Sequence, residues 1–440
     1  MSGYELPAIS KQQNVGGKCK KKYRMKNKIL ILINLFAIVQ LFGQRTVVKN
    51  VNIIPINQNT ILKNKSILIE NGKIIEIKDF KKLNLDKTEK IINAKNKYLM
   101  PGLADMHVHL HEKKSLDTLL LLNISAGVTQ IRVMNSDVNQ AELKNSLNQK
   151  IKPTIHFSYI FSKQNSTNQI DSIFNDVGKN NLDFIKLFSV KDENTFDELM
   201  MRANQEKKIV CGHYPSSVSM SKVLKSGFKS IEHLSAYPSD ENINNLDENI
   251  KLTKENKVYN CPTFDYFITV FNYQYPYGYK TRLTYQKAPK SYIDKWEKDL
   301  KAKIKKVGEQ KFLEFGENYK AKFEKQKIVF TKLYKNECLL LVGSDPSGLF
   351  QMSGFSMHDE MLFWSKLGID NYTILKSATL IPAQFFDEQN EWGSIEVDKV
   401  ADLIILNKNP LEDIRNLSTV ETIIKQGKVY NQKELLNTLK

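Results

Sequence analysis

Two histidines, His107 and His109, stand one residue apart in Pro101-Gly102-Leu103-Ala104-Asp105-Met106-His107-Val108-His109-Leu110, within a chain of 440 residues. The segment reads as a strand, and side chains two apart in a strand leave the same face. Both imidazoles therefore project together and make half of a zinc-type site. His111 continues that face but lies past the apolar run and reads as a loop residue. Three further candidates each close a short apolar segment: His213 after Ile209-Val210-Cys211-Gly212, His233 after Ser230-Ile231-Glu232, and Asp345 after Leu339-Leu340-Leu341-Val342-Gly343-Ser344. Singly, either histidine fits a hydrogen-bonded core position, and Asp345 fits a helix cap before Pro346. Lys186 stands within Asp183-Phe184-Ile185-Lys186-Leu187-Phe188. A lysine in so apolar a strand is costly while charged, so its pKa should fall toward neutrality. A neutral amine can combine with carbon dioxide, and the two oxygens of that carbamate can bridge two cations.

These residues make one site only if a scaffold gathers the carboxyl ends of several strands. The central region alternates short apolar strands with helical stretches, the pattern of a parallel α/β fold. Strands are expected near 103–110, 127–134, 153–160, 182–188, 208–213, 229–234, 257–264 and 338–344. Eight such units fit a (β/α)8 TIM-type barrel over 101–388, whose catalytic groups sit at the carboxyl ends of its strands. A Lys-rich helical insertion is expected at about 266–336, between the last two strands. Residues 44–100 and 389–440 alternate in the manner of strands, with Asn71-Gly72 as a hairpin signal, and are expected to form a discontinuous β-sandwich module.

The formal net charge of +17 is unevenly spread. Residues 1–43 hold eight Lys/Arg against Glu5, and residues 286–335 hold fifteen Lys against seven acids, so these two segments carry nearly all of it. The second reads as amphipathic helix with a solvated Lys face. Without a recognition motif this charge does not indicate a nucleic-acid binder. Met25-Lys26-Asn27-Lys28 followed by the apolar run Ile29 to Val39 reads as an export signal, too short for a confident membrane span. Residues 1–43 are thus expected to be leader and signal peptide, and the mature protein periplasmic or extracellular, with no stable span. Cys211, Cys261 and Cys338 lie in apolar strands and are expected to be free core thiols.

Taken together, Pro101 to His109, Gly127-Val128-Thr129 with Arg132, Asp183 to Lys186, Gly212-His213, Ile231-Glu232-His233, Gly343-Ser344-Asp345 and the run from Gly393 through Ala401-Asp402-Leu403 to Asn409-Pro410-Leu411 resemble the amidohydrolase superfamily, in its imidazolonepropionase-like and prolidase-like branch. The resemblance spans essentially the whole expected mature chain. It implies two divalent metal ions, zinc by default. His107 and His109 would hold one, His213 and His233 the other, and carbamylated Lys186 would bridge them. Asp345 would ligate the first ion and act as the acid/base group, while the ions activate a bridging water.

The sequence departs from prolidase-like relatives where they carry a Gly-Gly-His element after strand three and a Gly pair after the bridging lysine. Here those regions read Ser158-Tyr159-Ile160-Phe161-Ser162 and Ser189-Val190. Dipeptides are therefore one option among small amide or peptide substrates. Arg132, Tyr159, Tyr214 and His358 are candidate pocket residues, although Arg132 equally fits a structural pair with a carboxylate. The reading is an exported binuclear amidohydrolase cleaving a C–N bond. A mononuclear cyclic-amide hydrolase or deaminase is the alternative, and a non-catalytic metal-stabilised binding protein a third. Oligomeric state is left open.

Overall fold

The structure, a computed structural model, describes residues 45–85, 89–110, 115–136, 139–271 and 278–439, with 240 and 241 for their backbone alone. The expected leader and signal over 1–43, and His111, lie outside the described residues. Residues 46–440 form one compact unit.

Its strands in chain order are β1 (Thr46–Ile53), β2 (Leu62–Glu70), β3 (Lys73–Lys78), β4 (Lys90–Asn93) and β5 (Tyr98–Pro101); β6 (Leu103–Leu110), β7 (Val128–Ser136), β8 (Thr154–His156), β9 (Ser158–Phe161), β10 (Phe184–Leu187), β11 (Ile209–Gly212), β12 (Ser230–Glu232) and β13 (Tyr259–Cys261); then β14 (Leu403–Leu406), β15 (Val420–Lys425) and β16 (Lys428–Asn431). Five helices matter below: α1 (Leu116–Ser125), α2 (Phe264–Val270), α3 (Lys290–Val307), α4 (Glu309–Lys335) and α5 (Phe355–Lys366).

Strands from both ends share one sheet, in the order β16-β15-β14-β5-β1-β2-β3, with β4 also paired to β1. A β-sandwich of two separately paired sheets is thus not what the hydrogen bonds describe. The ends are joined where β14 runs antiparallel to β5, Leu403 opposite Pro101 and Leu406 opposite Tyr98. Apolar side chains at alternate positions explain the pairing: Val48, Ile67, Ile69, Leu99, Leu403, Ile405 and Ile424 pack into one cluster on this sheet.

The central strands are all parallel, as β6-β7-β8 and β9-β10-β11-β12-β13. The expected third strand is broken at Phe157. Its first part pairs with β7 and its second with β10, so one chain segment spans both sheets. The expected eighth strand forms a single bridge, Leu340 to Asn260. Its backbone nevertheless bonds on both sides. Leu341 N donates to Asn260 O at 2.9 Å, Met106 N to Val342 O at 2.9 Å, and Asp345 N to His107 O at 2.8 Å. β10 is buried at all four positions and apolar except for Lys186, the composition of a parallel strand covered on both faces.

Between β13 and residue 339 most of the described residues are helical. α3 and α4 bury Trp296, Leu300, Phe312, Phe323, Val329, Phe330 and Leu333 and turn their lysines outward. Exposed pairs such as Lys290–Asp294 and Lys295–Asp299 sit at helical spacing. The Lys-rich charge is thus a solvated helix face. Cys211, Cys261 and Cys338 are buried free thiols. Among the described residues no helix is long and apolar enough to cross a membrane.

Candidate metal centre

His107, His109, Lys186, His213, His233 and Asp345 come from five chain segments and meet where the parallel strands end. Two imidazoles leave β6, with His107 Nε2 3.3 Å from His109 Nε2. The Asp345 carboxylate approaches both, Oδ1 at 3.6 Å from His109 Nε2 and Oδ2 at 3.9 Å from His107 Nε2. Ring centroids separate His107 from His233 by 4.8 Å and His233 from His213 by 5.2 Å. Donor atoms of His107, His233 and Asp345 lie within 4.8 Å of one another.

Local backbone conformation sets these positions. His233 (φ 62°) and Asp345 (φ 44°) are left-handed, a region costing a non-glycine residue roughly 1–2 kcal/mol. Each sits where a strand stops and its side chain must turn inward. Two glycines make room. A Cβ on Gly343 would lie 2.8 Å from His107 Cβ and 2.5 Å from Cys261 Sγ, and one on Gly212 would lie 2.2 Å from Leu187 O and 2.9 Å from Lys186 Cδ.

A second set of groups holds the imidazoles. His107 Nδ1 is 2.9 Å from Glu232 Oε2. Glu232 Oε1 accepts from Arg132 Nη2 at 2.8 Å and Ser230 Oγ at 2.6 Å. His213 Nδ1 faces the Phe188 carbonyl at 3.0 Å, and His233 Nδ1 faces Thr263 Oγ1 at 2.6 Å. The His233 carbonyl accepts from Gln326 Nε2 of α4 at 2.9 Å. Below Asp345, Ser344 donates through its N–H and hydroxyl to Asp105 at 2.9 and 2.5 Å.

Burial dominates the electrostatics. It holds His107 and His233 well below the ordinary imidazole range and brings His213 down to about 4. The same cause lowers Lys186, with Glu232 opposing, and lifts Asp345 to about 7 against the pull of Lys186. His107, His213 and His233 are therefore neutral near pH 7, the form that binds metals. With the Nδ1 proton of His107 given to Glu232, its Nε2 lone pair faces a second imidazole nitrogen and a carboxylate. A cation satisfies that arrangement, so the donor set fits divalent metal. The grouping of His107, Glu232 and Cys261 is different, because Glu232 is occupied by Arg132 and Ser230 and burial pushes the Cys261 thiol up.

The four expected pocket residues are not brought to this site. Arg132 is fully buried and donates to Met106 O, Ser230 Oγ and Glu232; its guanidinium compensates a carboxylate below the ligands. Tyr159 is paired with Ile185, while Ile160 is paired with Lys186. Side chains alternate along a strand, so Tyr159 leaves the face opposite Lys186. The Tyr214 hydroxyl donates to Val218 O within its own loop at 2.5 Å. His358 of α5 is buried, its Nε2 2.9 Å from Ala126 O beyond the end of α1. Sequence reading missed the supporting roles of Glu232, Thr263, Gln326, Asp105 and Ser344. Glu232 had a usable signal, a carboxylate inside an apolar strand one residue before a candidate ligand.

A model of the amidohydrolase family matches residues 98–430. A 5-methylthioadenosine/S-adenosylhomocysteine deaminase of Dictyoglomus turgidum is 42% identical over 66 residues, 15% of either chain. A dihydroorotase of Elusimicrobium minutum is 37% identical over 106 residues, 23% of either chain. These matches thus span under a quarter of the curated relatives. Among solved structures, a Xaa-Pro dipeptidase with methionine bound in its active site aligns with TM-score 0.66 at 19% identity, covering 88% of this chain and 100% of that one. A putative prolidase from Bifidobacterium longum aligns with TM-score 0.67 at 19% identity, covering 90% and 99%. At such identities the likeness is one of fold.

Proposed function

Since the chain belongs to the amidohydrolase family, we propose that it is a metal-dependent hydrolase cleaving a C–N bond in a small amide or peptide. The carrying observation is the convergence of four imidazoles, a buried lysine and a buried carboxylate at one end of the parallel strands. The backbone bonds of residues 339–345 to both Asn260 and β6 support reading the parallel strands as a closed (β/α)8 barrel.

We assign two divalent ions, zinc by default. His107, His109 and Asp345 would hold one, His213 and His233 the other, and Lys186, as its carbamate, would link them. Such ions supply Lewis acidity and lower the pKa of a water. The protein's own part is proton transfer and orientation. As water oxygen bonds to the carbonyl carbon, Asp345 takes the water's proton. It then delivers that proton to the amine nitrogen as the C–N bond breaks, leaving an acid and an amine. Glu232 keeps His107 in one tautomer throughout. The amino-terminal segment supports export to the periplasm or exterior.

The test is metal analysis with amine release, on protein reconstituted with zinc and bicarbonate and given dipeptides, N-acyl amino acids and cyclic amides. About two ions per chain, and turnover abolished in Asp345→Asn, are expected; absence of bound metal refutes the proposal. The compact trio His107, His233 and Asp345 favours a second reading, a single-ion deaminase or cyclic-amide hydrolase. Under it, Lys186→Ala would keep activity with one ion bound.

A further inference from the structure

A strip of aromatic rings leads away from His233. Tyr266 and Phe267, in the first turn of α2, lie with ring centroids 6.2 and 5.6 Å from its imidazole. Phe267 stacks on Tyr319 of α4 at 5.6 Å and on Phe271 at 5.7 Å. Phe271 lies face to face with Tyr319 at 3.6 Å and, on its outward side, stacks on Phe315 at 5.3 Å. At the other side of the ligand set, Phe188 packs on His213 at 4.9 Å.

Exposure sets the two ends of this arrangement apart. Phe315 is 47% and Phe188 48% exposed, and they are the phenylalanines among the exposed large apolar side chains of the described residues. One ends the strip that begins at His233, and the other touches His213. A half-exposed ring thus stands at either end of a row of rings that passes the polar centre, where a ligand's apolar part can bury them. These rings cover much of one another's faces and leave Phe315 half open, and an aromatic surface of this kind pairs best with another flat ring in offset or edge-on contact. Tyr266 adds a polar end.

We infer that this strip is the subsite for the substrate's side group, and that the preferred substrate carries an aromatic ring next to its scissile amide. The inference rests on the hydrolase reading above and narrows its substrate class. Helices α2 and α4, with Phe271 just after α2, supply most of the wall.

The test compares kcat/KM on the metal-loaded chain within two matched pairs, N-benzoyl- against N-acetylglycine and N-acetylphenylalanine against N-acetylalanine. The aromatic member should lead by at least about tenfold in one pair. Phe271→Ala and Phe315→Ala should each bring that ratio toward one; Phe315 is half exposed, so its variant tests the subsite with the core intact. Leu313→Ala, on the same helix, 42% exposed and outside the strip, should leave the ratio as it was. A wild-type ratio near one, or a ratio unmoved in both strip variants, overturns the inference. If no amide is turned over, the hydrolase reading is what has failed. The subsite is then judged by binding of benzohydroxamate against acetohydroxamate: a tenfold preference lost in Phe315→Ala upholds it, and equal affinities overturn it.

Discussion

The Glu232 carboxylate is committed to three partners: His107 through one oxygen, Arg132 and Ser230 through the other. A buried charge of this kind is tolerated only while its counter-charge is in place, and removing one partner typically costs about 3–5 kcal/mol. Glu232→Gln should therefore lower stability by that order, because Arg132 keeps its charge in a fully buried position. It should also weaken metal affinity about 10–100-fold, as losing the group that orients a ligand histidine does. Chelator competition on the refolded variant measures the second effect, and unchanged affinity would show that Glu232 supports the fold alone. The convergence of these candidate ligands was readable from type and spacing, since strand alternation makes His107 and His109 face together and segment ends announce His213, His233 and Asp345. Supporting groups were not, because Arg132 and Glu232 lie 100 residues apart, on strands of different sheets that only the folded chain brings together. The same blindness put Arg132, Tyr159, Tyr214 and His358 among pocket residues: each is polar and near a motif, yet facing, burial or a local bond removes it.

Helix α4 reaches the candidate site through the side chain of Gln326. Gln326 is buried, accepts from the Tyr319 hydroxyl at 3.2 Å and donates to the His233 carbonyl at 2.9 Å. His233 is left-handed, so its backbone needs such a tie to keep the imidazole inward. Gln326→Leu would leave a half-buried carbonyl and hydroxyl without this partner, costing about 1 kcal/mol. It should also reduce occupancy of the ion assigned to His213 and His233 before the other. Gln326→Glu separates the two partners, since a carboxylate still accepts from Tyr319 but cannot donate to His233. Equal metal content in wild type and both variants would confine Gln326 to packing. Gly343→Ala bears on strand rather than helix, and should empty the His107 side, because its Cβ would press on His107 Cβ at 2.8 Å. Residual metal measured on the folded variant decides that case. The insertion's helices were legible from their Lys and apolar spacing; their tie to His233 was not, because no local pattern specifies which neighbour a buried glutamine will meet.

Across the whole molecule, histidines outside the ligand set make stability depend on pH in a direction that can be worked out. Burial lowers His358 from 6.5 to about 4 and His156 from 6.5 to about 3. In the unfolded chain both titrate near 6.5, so between that pH and the folded values the unfolded state binds more protons. Their contribution is present above pH 6.5 and is lost as pH falls toward 4 and 3 respectively. At about 1.4 kcal/mol per pH unit, the loss is roughly 3 kcal/mol for His358 and 5 kcal/mol for His156. Buried carboxyls act oppositely. Burial lifts Glu360 to about 8 and Asp105 to about 6, and stability is lost as pH rises through those values. The net profile therefore mixes both signs, and a variant isolates one. His358→Gln retains an N–H that can donate to Ala126 O, where His358 Nε2 now sits at 2.9 Å, but it cannot titrate. Denaturant titrations of the metal-free protein should find wild type losing about 3 kcal/mol relative to this variant between pH 6.5 and 4. Parallel curves for the two proteins would mean that His358 opens to solvent and accepts its proton without unfolding. The metal-loaded protein should show the same difference, because His358 lies on α5 and belongs to neither ligand set.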